Sequence, residues 1–167
     1  MKILGIDPGT VVMGYGAVEY EVDEVTLVGY GAIKVPERLQ IAEKLVYLYK
    51  ELLKVIGLYQ PDVIAVEQPF VAKNVRTALA IGRAQAIALL AAAGQDIPTF
   101  EYTPAQVKQR VANYGASSKE QIQEMVRLQL DLAEVPQPND AADALAVAIC
   151  HVHEMHLKKL LDGQGEV

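Results

Sequence analysis

The fold is decided by the stretch Ile3-Leu4-Gly5-Ile6-Asp7-Pro8-Gly9-Thr10. This is an apolar run that ends on a carboxylate and is followed at once by Pro-Gly. An unbroken apolar run predicts a strand that is buried on both faces, and Pro8-Gly9 predicts a tight turn behind it. Asp7 is therefore expected at the mouth of a buried strand, where open sheets usually build their chemistry. Its carboxylate could equally cap its own turn.

Length and composition indicate a single globular domain. A chain of 167 residues can bury roughly 70% of the surface that its unfolded form exposes. We expect one domain over residues 1–157 and a polar, frayed tail over residues 158–167. The one cysteine, Cys150, excludes an intrachain disulfide and is typical of a reducing cytoplasm. The longest uncharged run, residues 84–95, is shorter than the about 20 residues of a membrane span, so we expect a cytoplasmic protein without a membrane partner.

Charge is distributed unevenly along the chain. The formal net charge is −6, which by itself argues against a nucleic-acid partner. Between residues 73 and 119, however, six cations stand against two anions, which leaves a local charge of +4. A basic middle in an acidic chain could bind a polyanion. A solvated mixed surface is the alternative, and charge alone does not exclude it.

Periodicity predicts alternating strands and helices in one α/β domain. Strands are predicted at residues 1–7, 11–21, 25–35, 63–67 and 98–102. Helices are predicted to begin at Pro36, near Asn74, at Pro104, at Ser118 and at Asp140, the first ending at Gly57 and the last near Leu157. Short connections make the first three strands an antiparallel meander, and the strand–helix–strand order predicts a right-handed parallel crossover. Glu67, which ends the fourth strand, should then lie at the same end of the sheet as Asp7.

Two of the predicted elements require a close neighbour. Gly14 and Gly16 lie inside the second strand, where glycine is unfavourable unless another group approaches the backbone closely. Close approach of DNA and relief of packing are both open explanations. The second predicted helix has almost no polar face and carries Ala78, Gly82 and Ala86 at four-residue spacing. A helix that is apolar nearly all round must be buried on more than one side, by another helix or by a second subunit.

Four carboxylates begin or end these elements. Asp140 and Asp143 stand three residues apart at the start of the last helix, so they point to one face of its first turn. Acids there commonly compensate the helix dipole, which is the simpler interpretation of this pair alone. Together with Asp7 and Glu67, however, they would repel one another and raise their pKa values. All-oxygen ligands with room for water suit Mg²⁺ or Mn²⁺, and two such ions are the usual device for phosphodiester hydrolysis.

Five short motifs carry a resemblance to a known family. They are Ile6-Asp7-Pro8-Gly9-Thr10, Glu67-Gln68, Ala72-Lys73-Asn74, Gln106-Val107-Lys108 and Asp140-Ala141-Ala142-Asp143-Ala144-Leu145-Ala146. In this order and spacing they closely resemble the RuvC family of bacterial Holliday-junction resolvases, and the similarity runs from residue 1 to about residue 153. The resemblance implies a ribonuclease-H-like fold, in which an antiparallel three-stranded meander and two parallel strands form one mixed five-stranded sheet with helices on both faces.

The resemblance also implies an activity. It implies a homodimer that makes paired, symmetric nicks in four-way DNA junctions during recombination and repair, leaving 5′-phosphate and 3′-hydroxyl ends. By motif match, Asp7, Glu67, Asp140 and Asp143 are the catalytic metal ligands. They would hold two Mg²⁺ ions per site when substrate is bound, with Mn²⁺ as a substitute. RuvA and RuvB, the branch-migration proteins, are the further partners that the resemblance implies.

Five side chains are matched or suggested as DNA contacts. Lys108 and Lys119 match basic positions near the scissile phosphate, and Phe70 matches an aromatic in the junction-contacting loop. Lys73 and Arg76 are expected to contact the DNA backbone. Solvated lysines and a phenylalanine that closes the edge of the core are the alternative interpretations. The row of Ala78, Gly82 and Ala86 matches the dimer helix of the family.

Three other functions remain open at this stage. A related ribonuclease-H-like enzyme could act on RNA. Asp-Pro-Gly-Thr after a first strand also resembles the phosphate loop of actin-like and sugar-kinase-like ATPases, although those proteins close two such domains around a nucleotide. A DNA-binding module without catalysis would leave the four acids without a use. His151 and His153 lie on different faces of the last helix, and all three histidines, His156 included, lie several turns past Asp143, which favours packed or solvated histidines over a metal site.

Overall fold

The computed structural model describes residues 1–68, 75–112, 115 and 117–163. These residues form a five-stranded mixed sheet with the strand order β3-β2-β1-β4-β5. The strands are β1 (Lys2–Asp7), β2 (Val12–Glu21), β3 (Glu24–Lys34), β4 (Val63–Glu67) and β5 (Thr99–Tyr102). Strands β1, β2 and β3 pair antiparallel, whereas β4 pairs parallel with both β1 and β5. The predicted meander and crossover are therefore confirmed.

Helices cover both faces of this sheet, as predicted. They are α1 (Ile41–Tyr59), α2 (Val75–Ala93), α3 (Pro104–Ala112), α4 (Lys119–Gln129) and α5 (Asn139–Gly163). One hydrophobic core joins α1 and α2 to side chains such as Leu4, Ile6 and Ile64. The other core joins α3, α4 and α5 to Ile3 and the opposite face of the strands. Because β1 and β4 contribute side chains to both cores, they read as continuous apolar runs in the sequence.

Glycines in the sheet allow α5 to lie directly on the strands. A Cβ atom added at Gly14 would stand 1.9 Å from the carbonyl oxygen of Asp140, and one at Gly16 would stand 2.5 Å from the side chain of Leu145. At Gly5 the added atom would meet the carbonyl oxygen of Ala144 at 2.0 Å. The group that approaches these strands is therefore a helix of the same chain, and the close approach of DNA is not needed to explain Gly14 and Gly16.

The ends of two helices differ from the prediction. Helix α1 begins at Ile41, five residues after Pro36, because Gln40 and Glu43 form a capping box there. It continues through Gly57 and ends at Tyr59. The next residue, Gln60, has a φ of 47° and forms the left-handed cap that was expected at Gly57. Helix α5 begins one residue before Asp140 and extends to Gly163, past the predicted end near Leu157. The domain boundary at residue 157 remains a prediction.

Helix α2 is buried along one side only. Ala84, Ala88, Ala91 and Ala92 are buried in the core that α2 shares with α1 and the sheet, while Leu79 and Leu90 are 55% and 58% exposed. Within the described part of the chain, α2 is the one helix long and apolar enough to cross a membrane by length and composition, and 22% of its most apolar window is buried. The helix itself was predicted, but the uncharged run of residues 84–95 was too short to indicate a membrane span, because Arg76 and Arg83 interrupt the apolar sequence before it.

Candidate active site

Three of the four predicted carboxylates meet at one end of the sheet. Asp7 ends β1 and Glu67 ends β4, and the parallel register that pairs Ile6 with Val66 places the two acids side by side. The two carboxyl groups share a hydrogen bond. Asp143, in the first turns of α5, is close enough for its charge to act on both of them. The glycines of β1 and β2 make this possible, since they let α5 approach the sheet closely.

The cluster does not accommodate four negative charges without a cation. Burial, followed by the charges of Glu67 and Asp143, raises the pKa of Asp7 to about 8. Burial also raises the pKa of Glu67, although the hydrogen bond from Asp7 acts in the opposite direction. Asp7 is therefore protonated near neutral pH, and its carboxyl group donates a hydrogen bond to the Glu67 carboxylate. The raised pKa values that the sequence predicted are thus found on Asp7 and Glu67, with burial as the first cause and the neighbouring carboxylates as a further one.

Asp143 has a different partner on each of its oxygens. Lys119 Nζ lies 2.5 Å from Asp143 Oδ2, and Gln123 Nε2 donates a hydrogen bond to Asp143 Oδ1 at 3.3 Å. Burial would lower the pKa of Lys119, but the hydrogen bond to Asp143 and the neighbouring carboxylate charges raise it above its usual value. Lys119 was predicted as a DNA contact, whereas Gln123 was not singled out. Its position four residues after Lys119, on the same face of a predicted helix, was the available signal.

The acids and two lysines share one cleft of about 380 Å³. Its polar wall consists of Asp7, Glu67, Asp143, Lys108 and Lys119. Apolar side chains of α3, α4 and α5 complete the wall. The charges of both lysines also lower the pKa of Glu67, although burial outweighs them. The cleft therefore places cationic groups beside the acidic cluster, as a site for a phosphate with bound cations requires.

Asp140 and Arg76 line a neighbouring cleft of about 500 Å³. This second cleft lies between the loop after β1, with Gly9 and Thr10, and the start of α2. The charge of Asp140 still contributes to the raised pKa of Asp7, as the last of the contributions. Asp140 thus lies at the edge of the acidic cluster. Phe70 and Lys73 fall outside the described residues.

The donor set fits a hard divalent cation in its chemistry. The four acids offer carboxylate oxygens, which Mg²⁺ prefers, and burial together with the neighbouring carboxylates raises the pKa of Asp7, so a bound cation would favour its ionised form. Within residues 1–68, 75–112, 115 and 117–163, no group of three or more His, Cys, Asp or Glu side chains is arranged closely enough to hold a metal ion.

The histidines of α5 have structural partners. The ring of His151 is 2% exposed, and its Nδ1 lies 2.7 Å from the Tyr102 hydroxyl. Burial lowers the pKa of His151 to about 4, so the ring is neutral. His153 Nδ1 lies 2.7 Å from the Arg110 carbonyl oxygen and donates to it. The interpretation of these two residues as packed histidines is supported, and His156 is half exposed.

The predicted dimer row lies on the exposed side of α2. Ala86 is exposed, and Ala78 and Gly82 are partly exposed. A Cβ atom added at Gly82 would meet nothing within 4 Å in this chain. Packing within the described residues therefore does not explain the glycine at this position.

The strand order, the two helical layers and the carboxylates at the ends of β1 and β4 define a class of protein, the ribonuclease-H-like nucleases. Comparison with known proteins narrows this class. The family model described as "Crossover junction endodeoxyribonuclease RuvC" matches residues 3–151. The chain belongs to the RuvC family of crossover junction, or Holliday junction, endodeoxyribonucleases. The resemblance carried by the five motifs is thereby confirmed, and the ATPase, RNA-cleaving and non-catalytic alternatives are set aside.

Individual relatives agree with this assignment. The crossover junction endodeoxyribonuclease RuvC of Dehalococcoides mccartyi is 59% identical over 167 residues, which is 100% of this chain and 99% of the relative. The structure of Thermus thermophilus RuvC superposes with a TM-score of 0.86 at 32% identity and covers 95% of this chain and 97% of its own. Thermus thermophilus RuvC in complex with Holliday junction substrate gives a TM-score of 0.84 at 32% identity, with coverage of 94% and 96%.

Proposed function

We propose that this chain resolves four-way DNA junctions by Mg²⁺-dependent hydrolysis and makes paired nicks that leave 5′-phosphate and 3′-hydroxyl ends. The observation that carries the proposal is the shared cleft, in which Asp7, Glu67 and Asp143 lie beside Lys108 and Lys119. A cluster of carboxylates can hold divalent cations, and adjacent lysines can hold a phosphate. The solved complex of Thermus thermophilus RuvC with Holliday junction substrate supports the substrate class.

The proposed metal ligands are Asp7, Glu67, Asp140 and Asp143, with two Mg²⁺ ions per site and Mn²⁺ as a substitute. When bound, such ions supply an activated water and stabilise the leaving 3′ oxygen. To bind a cation, Asp7 must lose the proton of its hydrogen bond to Glu67. Because the pKa of Asp7 is raised to about 8, this loss requires a nearby positive charge. Asp140, at the edge of the cluster, would turn toward it from the first turn of α5.

The lysines of the cleft have the proposed role of binding the scissile phosphate. Lys108 reaches the cleft from α3 and Lys119 from the first position of α4. A cation aimed at the phosphate stabilises the charge that develops in the transition state. Lys73 and Arg76 are proposed to bind the DNA backbone, and Phe70 to stack on a base at the junction. Arg76 lines the neighbouring cleft with Asp140, which supports its part in this path.

The proposed active form is a homodimer that joins through α2. Leu79, Gly82, Ala86 and Leu90 present a small and apolar face to solvent in the isolated chain. Two-fold symmetry would place two active sites on strands of like polarity, so that symmetry produces paired nicks. We further propose a cytoplasmic location and association with RuvA and RuvB.

The proposal is tested by incubating the protein with a synthetic four-way junction, with and without Mg²⁺, and mapping both cut positions. Asp7→Asn should abolish cleavage while junction binding persists, because it removes a ligand without removing the lysines. Asp96→Asn is the matched control: Asp96 is exposed and has a φ of 55°, which asparagine also adopts. The control should cut normally. Retained cutting by Asp7→Asn, or preferential cutting of structured RNA, would contradict the proposal.

A further inference from the structure

We infer that Gln123 is a positioning residue for Asp143, holding one carboxylate oxygen so that the other faces the cation. The inference rests on the proposed role of Asp143 as a metal ligand. The Gln123 side-chain amide donates to Asp143 Oδ1 at 3.3 Å. Gln123 is 7% exposed, which makes it one of the few buried polar residues among those described. A buried amide keeps its orientation when a partner fixes it, since leaving it unpaired costs free energy.

Helix α4 brings two different groups to the two oxygens of Asp143. Ser118 caps the helix and accepts a hydrogen bond from the backbone of Gln121, so Lys119 occupies the first helical position. Lys119 and Gln123 are four residues apart and share one face of the helix. Lys119 contacts Oδ2 at 2.5 Å, while Gln123 contacts Oδ1. Both oxygens of the Asp143 carboxylate therefore contact side chains of the same helix, α4.

The two contacts differ in how easily they can be given up. The Lys119 side chain is 55% exposed, so it can exchange its contact with Asp143 for one with a phosphate or with water. Gln123 is 7% exposed and belongs to the buried side of α4 with Ile122 and Val126, so its amide has less freedom to exchange its contact for one with water. A cation that takes Oδ2 thus replaces the ammonium charge of Lys119, while Gln123 keeps Asp143 in the same rotamer. Residues behind a ligand commonly fix its orientation in this way.

The test compares two glutamines of the same helix. Gln123→Met keeps the length and burial of the side chain and removes its donor. Gln129→Met is the matched control, because Gln129 also donates its side-chain amide, to the Val111 carbonyl at 2.8 Å, away from the acidic cluster. Thermal melts of both variants report their folding. The two variants then separate a positioning role from a general contribution to stability.

Two readouts are measured, one of them independent of cleavage. Gln123→Met should raise the Mg²⁺ concentration for half-maximal cleavage about tenfold, the usual effect of removing a residue behind a metal ligand. The kcat at saturating Mg²⁺ should recover. Binding of Mn²⁺ to the DNA-free dimer, followed by electron paramagnetic resonance, should weaken by a similar factor. Gln129→Met should change neither quantity by more than twofold.

The outcomes are distinguishable. A Mg²⁺ requirement and a Mn²⁺ affinity within twofold of wild type in Gln123→Met would overturn the inference, as would equal shifts in Gln129→Met. If Gln123→Met fails to fold, Gln123→Asn replaces it, since its amide is one methylene too short to keep the contact, and the same shifts are expected. Failure of the wild type to cut junctions would contradict the proposed function instead, and the Mn²⁺ titration would still report on Gln123.

Discussion

At the scale of single residues, the site is organised around a proton on Asp7. Burial and the nearby carboxylates raise the pKa of Asp7 to about 8, so one acid of the cluster stays neutral at pH 7 in the absence of a cation. Its hydrogen bond to Glu67 is the means by which two adjacent acids coexist. Asparagine at position 7 cannot ionise, so it would remove both the negative charge of Asp7 and its pH dependence. The acidic cluster is therefore expected to lower the unfolding free energy of the metal-free protein, as functional clusters of like charge often do.

This cost predicts a pH dependence in the presence of a chelator. A carboxyl group whose pKa rises from 3.8 to about 8 on folding stabilises the folded state at low pH, and this stability is lost as the pH rises through 8. Between pH 6.5 and 8.5 the wild type should lose about 2 kcal/mol of unfolding free energy. Below pH 6.5 the buried His151 contributes with the opposite sign, because its pKa is lowered to about 4.

Urea denaturation in EDTA at pH 6.5, 7.5 and 8.5 measures this slope. Asp7→Asn should show a clearly flatter profile than the wild type and should be the more stable protein at pH 8.5. Asp96→Asn, at an exposed turn, should reproduce the wild-type slope. Parallel profiles for Asp7→Asn and wild type would mean that Asp7 is ionised without a cation.

At the scale of elements, the contact between α5 and the sheet brings Asp143 to Asp7 and Glu67. The helix backbone reaches the strands because three strand positions lack a side chain: Gly5, Gly14 and Gly16. Strand propensity alone would disfavour these glycines. The glycines weaken the strands, but without them α5 could not approach the sheet closely enough to bring Asp143 to Asp7 and Glu67.

A pair of glycine substitutions tests this contact. Gly14→Ala should destabilise the protein by several kcal/mol, roughly the size of a severe packing clash, because its Cβ would stand 1.9 Å from the Asp140 carbonyl oxygen. It should also abolish cleavage, since α5 carries two of the acids. Gly57→Ala, in α1, meets nothing within 4 Å and should stabilise the protein by about 0.5–1 kcal/mol. Chemical denaturation measures both effects. A small loss of unfolding free energy in Gly14→Ala would argue against the close contact between β2 and α5.

At the scale of the whole molecule, the two faces of the sheet have different tasks. The face with α3, α4 and α5 builds the cleft. The face with α1 and α2 leaves apolar side chains of α2 exposed, including Leu90 at 58%. An exposed apolar helix on an otherwise acidic chain is typical of an interaction surface. The face with the candidate active site and the proposed dimer face are thus separated by the sheet itself.

Sedimentation velocity tests the proposed dimer. Leu90→Glu should convert the protein to a monomer, because it places a charge in an apolar interface. Leu128→Glu is the control: Leu128 is 54% exposed but lies on α4, on the opposite side of the sheet. The control should sediment as the wild type does. A monomeric wild type, or an unchanged Leu90→Glu, would refute an interface through α2.

Much of the fold follows from local sequence. The apolar runs ending at Asp7 and Glu67 identified two buried strands. Because a strand–helix–strand unit normally makes its two strands parallel, the same runs also showed at which end of the sheet the two acids meet. The capping box of Ser118 and Gln121 located the start of α4 in the same way. The start of α1 was wrong because the capping contacts of Gln40 and Glu43 outweigh the proline signal at residue 36.

The sequence by itself determined the class of fold and the family, and it predicted the four acids, since these depend on residue types and their spacing along one chain. Only the tertiary structure decided that Gly14 makes room for α5, that Asp140 lies at the edge of the cluster, and that Gln123 and Lys119 divide the oxygens of Asp143. Such contacts join residues distant in sequence. They depend on how closely elements approach, which no local pattern encodes.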